Sequence, residues 1–177
     1  MNGVVAEKFL ELKKRQEVAL IIYITFGFPD MKRTMEYIDE IIRGGADIIE
    51  LGVPFSDPIA IPIVLMSYLN PIISYGRERF FKDVKKAGIG GVIIPDLPIE
   101  ESKDWTAQAE DNGIETIFLV APTSTEQRIK EIARSSQGFI YAVSVTGTTG
   151  MRQALAPGLF EFIKKVRKNS DKPIAVG

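Results

Sequence analysis

Residues 47–60 read Asp47-Ile48-Ile49-Glu50-Leu51-Gly52-Val53-Pro54-Phe55-Ser56-Asp57-Pro58-Ile59-Ala60. The first half is an apolar, β-type run, the composition of a strand, with one carboxylate, Glu50, in its middle. An ionised carboxylate inside a buried strand is costly unless it is paired or put to use. Gly52, Pro54 and Pro58 then stop the strand and stiffen the loop that follows. A carboxylate near the C-terminal end of a strand, followed by a rigid loop, is how α/β barrels mount catalytic groups. The plain alternative is a glutamate at a strand edge facing solvent, and the pattern alone leaves both open.

Outward from this stretch the chain repeats one unit. Residues 4–14 place Val4, Val5, Phe9 and Leu12 near helical spacing and predict a short leading helix. Residues 20–26 form an apolar, β-branched and aromatic run closed by Gly27 and Pro29, a strand with its turn. Asp30 is placed to cap a helix that carries Met31, Met35, Ile38, Ile41 and Ile42 on one face, and Gly44-Gly45 ends it. After the strand at 47–53, strand runs recur at 62–68, 91–94, 115–121, 138–145 and 173–176. Helices are expected at 76–87, at 99–112, from a Ser124 cap to 135, and at 159–168. A glycine joins helix to strand at Gly44, Gly88 and Gly113. The strands are unbroken apolar runs rather than alternating ones, as expected where a parallel sheet is buried on both faces. The class is therefore α/β, with seven strands in a single domain spanning 1–177. A doubly wound sheet fits this alternation nearly as well as a barrel, but no Gly-x-Gly-x-x-Gly follows any strand, so a dinucleotide site is unsupported.

One joint breaks the pattern. No helix lies between the strand ending near Val53 and the one starting near Pro62, although parallel neighbours need a crossover of about a dozen residues or more. Either a segment is missing there or the two strands are not parallel neighbours.

Composition narrows the chemistry. The chain has 177 residues, 45% of them apolar and 25% charged, ordinary values for a globular protein. A formal net charge of −1 gives no electrostatic pull toward nucleic acid or an anionic membrane. No apolar run approaches the roughly 20 residues that cross a bilayer. Residues 1–15 mix acids with bases, unlike a secretory signal, so a cytoplasmic setting is expected. Cysteine and histidine are both absent, which removes thiolate chemistry, the commonest metal ligand and the commonest general base. Acid–base work falls to carboxylates, tyrosine or lysine.

Glu50-Leu-Gly-Val-Pro-Phe-Ser-Asp-Pro58 closely resembles the signature of the tryptophan synthase α-subunit family. Tyr23-Ile-Thr-Phe-Gly-Phe-Pro29 is similar to that family's first-strand motif, and Leu65-Met-Ser-Tyr-Leu-Asn-Pro71 to its third. Asp96-Leu-Pro98 stands where the family has Asp-x-Pro after strand four. Val145-Thr-Gly-Thr-Thr-Gly150 resembles its loop after strand six, and Lys172-Pro-Ile-Ala-Val-Gly177 the start of strand seven. The resemblance covers most of the chain in the right order.

It implies a TIM (β/α)8 barrel, incomplete here, that cleaves indole-3-glycerol phosphate into indole and glyceraldehyde 3-phosphate in tryptophan biosynthesis. It implies a β-subunit partner in an α2β2 complex, with pyridoxal phosphate held by the β subunit and no cofactor or metal in this chain. By the same resemblance Glu50 is the proton shuttle of a retro-aldol step, and Tyr141 lies close to it. Tyr23, Met66 and Ile93 line the indole pocket, Thr149 and Gly150 hold the substrate phosphate, and Pro54 and Asp57 belong to the loop that meets the β subunit. Each position also has a plain role: strand-end core for the apolar residues, a packed aromatic for Tyr141, a loop breaker for Gly150, and an ordinary turn for Ser56-Asp57-Pro58.

The departures from the family are specific. After Ala60 the family continues with Asp-Gly-Pro, a loop and a helix, and Ile61 stands where its second catalytic carboxylate is expected. The glycine loop after strand seven, strand eight and its helix have no counterpart before Gly177. A normal α subunit from which a segment is missing accounts for the joint most economically. It puts Ala60 at the catalytic face and Ile61 near the opposite end of the barrel. The competing class is a truncated or impaired α subunit that serves only as a β-subunit binding module. A relative of indole-glycerol-phosphate synthase ranks lower, since no lysine at a strand end follows that pattern.

Overall fold

The structure is a computed structural model, and it describes residues 3–27, 30–52, 61–144 and 158–177. Its strands are the apolar runs of the sequence: β1 (Ile21–Thr25), β2 (Ile48–Gly52), β3 (Ile63–Met66), β4 (Gly91–Ile93), β5 (Glu115–Ile117), β6 (Leu119–Val120), β7 (Ile140–Ala142) and β8 (Ile174–Val176). All pairings are parallel, in the order β1-β2-β3-β4-β5 and β6-β7-β8. Phe118 alone separates β5 from β6. Its N–H donates to Ser136 Oγ at 3.0 Å, and its carbonyl accepts from the Tyr141 N–H at 3.1 Å. Residues 115–120 are thus one bent strand that carries the sheet around the corner, which restores the expected count of seven. Between β1 and β8, among the described residues, the wall is open.

Alternate side chains of each strand face opposite ways, and both faces are apolar. Outward, Ile49, Leu51, Ile63, Leu65, Val92 and Ile140 pack with helix residues such as Ile38, Ile72, Phe81 and Phe162. Inward, Ile48, Val64, Ile93, Ile117 and Phe139 fill the barrel, with Ile21, Met66, Leu119, Tyr141 and Ala175 packed against them. Burying side chains of this size stabilises by about 1.5–3 kcal/mol each.

The helices are α1 (Val4–Arg15), α2 (Met31–Arg43), α3 (Leu69–Tyr75), α4 (Arg77–Lys86), α5 (Lys103–Asp111), α6 (Glu126–Ser135) and α7 (Leu159–Lys168). Asp30 caps α2 as its sequence predicts, accepting the Arg33 N–H at 2.9 Å. The leading helix α1 closes the base of the barrel. Val5 is fully buried in the inner cluster, and the Phe9 and Phe139 ring centroids lie 5.4 Å apart. Nothing in α1's own first turn caps it; Glu115 does so from β5, accepting the N–H groups of Val5 at 2.8 Å and Ala6 at 3.1 Å.

Three local expectations change. Asn70-Pro71 reads as a strand stop, yet it lies in the first turn of α3, where proline's missing N–H leaves no bond unmade. The Asp96 carboxylate accepts the Leu69 N–H at 2.8 Å and caps that helix from the loop after β4. Thr125 rather than Ser124 caps α6, accepting from the Arg128 N–H at 3.2 Å, while Ser124 Oγ accepts from the Ala121 N–H at 3.1 Å. The helix expected from residue 99 starts as a 3-10 turn at Ile99–Glu101 and becomes α-helical only at Lys103.

The odd joint resolves in favour of neighbours. β2 and β3 pair in parallel, with Ile49 opposite Ile63 and Glu50 opposite Val64. Ile61 lies just before β3, at its N-terminal foot, packed against the outer apolar layer. That is the end of the barrel opposite the catalytic face, where the sequence places it. It also means that Ile61 does not stand at the mouth in place of a second acid. Ala60 lies outside the described residues.

Candidate active site

Glu50 is the third residue of β2, two along from the inward-facing Ile48, so its side chain points into the barrel. It is only 4% exposed. Burial pushes its carboxyl up to about 7, and no cation among the described residues pairs with it to pull it back. A group half ionised near neutral pH both gives and takes a proton there.

Two tyrosines flank it. Tyr23 sits opposite Glu50 in the β1–β2 register and is 55% exposed. Its hydroxyl leans across to Gly52, where a Cβ would meet it at 2.5 Å. Tyr141 sits opposite Ala175 in the β7–β8 register and leans in the same way over Gly177, whose added Cβ would clash with its hydroxyl. Burial pushes the Tyr141 phenol up to about 12, and the nearby Glu50 carboxylate and Tyr23 phenol add to the rise. Tyr141 is therefore within electrostatic reach of Glu50 across the inner wall.

One layer further toward the mouth, Gly52, Met66 and Ile93 lie side by side across β2, β3 and β4. Ile93 is fully buried in the inner cluster, and Met66 is partly buried against it. Of the residues singled out by sequence, Glu50, Tyr141, Tyr23, Met66 and Ile93 thus come together on the inner wall. Pro54, Asp57, Thr149 and Gly150 lie outside the described residues.

Sequence reasoning missed the clearances at Gly52 and Gly177, which show only once the facing tyrosines are in register. It also passed over Glu115, a second carboxylate opening a buried run. The legible signal was an acid at the start of an apolar strand in a chain whose leading helix lacks a capping side chain of its own. Among the described residues no cluster of three or more carboxylates could hold a metal ion.

The model of the tryptophan synthase alpha chain family matches residues 9–61 and 59–177. The chain belongs to the tryptophan synthase alpha chain family. It is 41% identical to the tryptophan synthase alpha chain of Geotalea uraniireducens over 98% of its own length and 78% of the relative's. It is 40% identical to that of Methanosarcina mazei, over 98% of its own length and 75% of the relative's. A solved tryptophan synthase chain of Mycobacterium tuberculosis superposes with a TM-score of 0.88 at 32% identity, covering all of this chain and 80% of that one. A chain from the tryptophan synthase α2β2 complex of Pyrococcus furiosus superposes at 0.80 with 33% identity, covering 90% and 77% respectively.

The family match is broken at residues 59–61, where its two segments meet. The Geotalea alignment runs over 207 residues, more than this chain's 177, so that relative carries residues with no counterpart here. The break falls at the joint that lacks a crossover helix.

Proposed function

We propose that the chain acts as an indole-3-glycerol-phosphate lyase in tryptophan biosynthesis, with Glu50 as its proton shuttle. The observation that carries this is an inward carboxylate on the second strand of a β/α barrel wall, 4% exposed and raised to about 7. In the retro-aldol step, protonated Glu50 delivers a proton to C3 of the indole ring. The glycerol hydroxyl next to the ring gives up its proton to the carboxylate and becomes the aldehyde. The bond between C3 and the glycerol carbon breaks, and its electrons return to the ring. Indole and glyceraldehyde 3-phosphate leave with the proton count unchanged, so one group of pKa about 7 serves both transfers.

Tyr141 lies within electrostatic reach of that carboxylate and helps to keep the site dry. Tyr23, Met66 and Ile93 form the wall against which the indole plane packs. Thr149 and Gly150 take the phosphate, and Pro54 and Asp57 meet the β subunit, on the strength of the family motifs alone. The partner is a pyridoxal-phosphate β subunit in an α2β2 assembly. This chain needs no cofactor of its own, since the step moves only protons and one carbon–carbon bond. Residues 1–177 act as one partial barrel domain in the cytoplasm, and no helix among the described residues is long and apolar enough to cross a membrane.

The test is release of indole from indole-3-glycerol phosphate by the purified chain, alone and with a β subunit. Release above the uncatalysed background, rising when the β subunit is added, is the expected result. Specific β-subunit binding with no release under either condition would leave only the binding-module role.

A further inference from the structure

Glu50 is 4% exposed while its neighbour in the sheet, Tyr23, is 55% exposed. The two are paired in register on adjacent strands. The Tyr23 hydroxyl lies above the inner face of β2 at Gly52, two residues toward the mouth from Glu50 and on the same face. To get there the ring must cross diagonally from β1 to β2, over the mouth side of Glu50.

We propose that Tyr23 is a positioning residue whose ring shields the Glu50 carboxylate from water at the barrel mouth, and that Gly52 is required because any side chain there lifts the ring away. A Cβ at Gly52 would meet the Tyr23 hydroxyl at 2.5 Å and the ring carbons at 3.2 and 3.4 Å, so even alanine displaces it. The ring needs no hydrogen bond for this; it acts by excluding water. Gly52 is thereby a residue of the site although it carries no side chain.

Among the described residues, the titratable groups facing Glu50 are few. Tyr23 comes from β1 and Tyr141 from β7, and the Glu50 carboxylate acts on Tyr141. β3 offers Val64 opposite Glu50, and β4 offers Gly91 opposite Val64. The other inward carboxylate, Glu115 of β5, is occupied at the base by the N–H groups of Val5 and Ala6. Burial is the cause of the Glu50 shift, so removing cover lowers it.

The proposal rests on the proposed function only for its effect on rate; shielding is measured without turnover. The experiment is a carbon-13 titration of the Glu50 carboxyl, assigned by its loss in Glu50→Gln, in the intact chain and in Tyr23→Phe, Tyr23→Ala and Gly52→Ala. The expected midpoint stays near 7 in Tyr23→Phe, which keeps the ring. In Tyr23→Ala and Gly52→Ala it falls by about one unit or more toward the ordinary glutamate value of about 4.3. A midpoint unmoved in Tyr23→Ala overturns the proposal. So does an equal fall in Tyr23→Phe, which would credit the hydroxyl rather than the ring. Far-UV circular dichroism of each variant checks folding, and if Tyr23→Ala does not fold, Tyr23→Leu replaces it under the same criteria. An inactive chain that nevertheless titrates as expected would remove the lyase function and leave the shielding intact.

Discussion

Glu50 sits at 4% exposure with its carboxyl near 7, and this couples chemistry to stability. In the unfolded chain the same group titrates at about 4.3. Between these values the folded state holds a proton that the unfolded state has lost, so stability is greatest below about pH 4 and falls as pH rises through about 7. The loss is on the order of 3 kcal/mol. Glu50→Gln cannot lose a proton and removes that slope. Urea melts at pH 5 and pH 8 should show the intact chain losing markedly more stability than the Gln variant across the interval; parallel losses would show that Glu50 is not buried as described. The residue is legible in the sequence alone, because a lone acid in a buried strand run is anomalous. Its tyrosine neighbours are legible only through motif resemblance. The need for glycine at 52 is not legible at all, since a clearance is a property of two strands in register.

At the scale of elements, the helix that closes the barrel is held by a residue 109 or more positions away in sequence. Glu115 supplies the acceptor that the first turn of α1 lacks, and its carboxyl is raised by burial while the Val5 and Ala6 N–H groups oppose the rise. Glu115→Ala should cost about 2 kcal/mol, because one buried and one half-buried donor lose their carboxylate acceptor at a helix N-terminus. Hydrogen exchange at the Val5 and Ala6 amides should quicken in that variant before the rest of α1, and unchanged exchange there would show that the cap does not hold the helix. Apolar periodicity located every strand run and most helices. It failed at 69–75, where Asn70-Pro71 carried two meanings, a strand stop and a helix first turn. Only Asp96, reaching from the next strand's loop to the Leu69 N–H, decides between them. Caps supplied by distant residues leave no local signal.

For the molecule as a whole, the decisive feature is a parallel β2–β3 pair separated by fewer residues than a crossover helix needs, at the residues where the family match breaks. The sequence disclosed the anomaly, and register shows that the strands are neighbours all the same. Ile61 lies at the foot of β3, the end of the barrel opposite the place where the family motif predicts a second acid. Grafting the corresponding segment of a relative between Ala60 and Ile61 should raise indole release by about 10²-fold or more, the low end of what one acid–base group supplies. The pH dependence set by Glu50 should not move, and a graft with no effect on rate would mean that the joint is not what limits the site. Whether Glu50 carries the protons is decided by the rate of indole release from indole-3-glycerol phosphate, measured from pH 5 to 9 with a β subunit present, for the chain and for Glu50→Gln. The expected profile changes near pH 7 in the intact chain, and the Gln variant is slower by about 10²–10⁴-fold with that inflection gone. Equal rates and equal profiles in the two would contradict it.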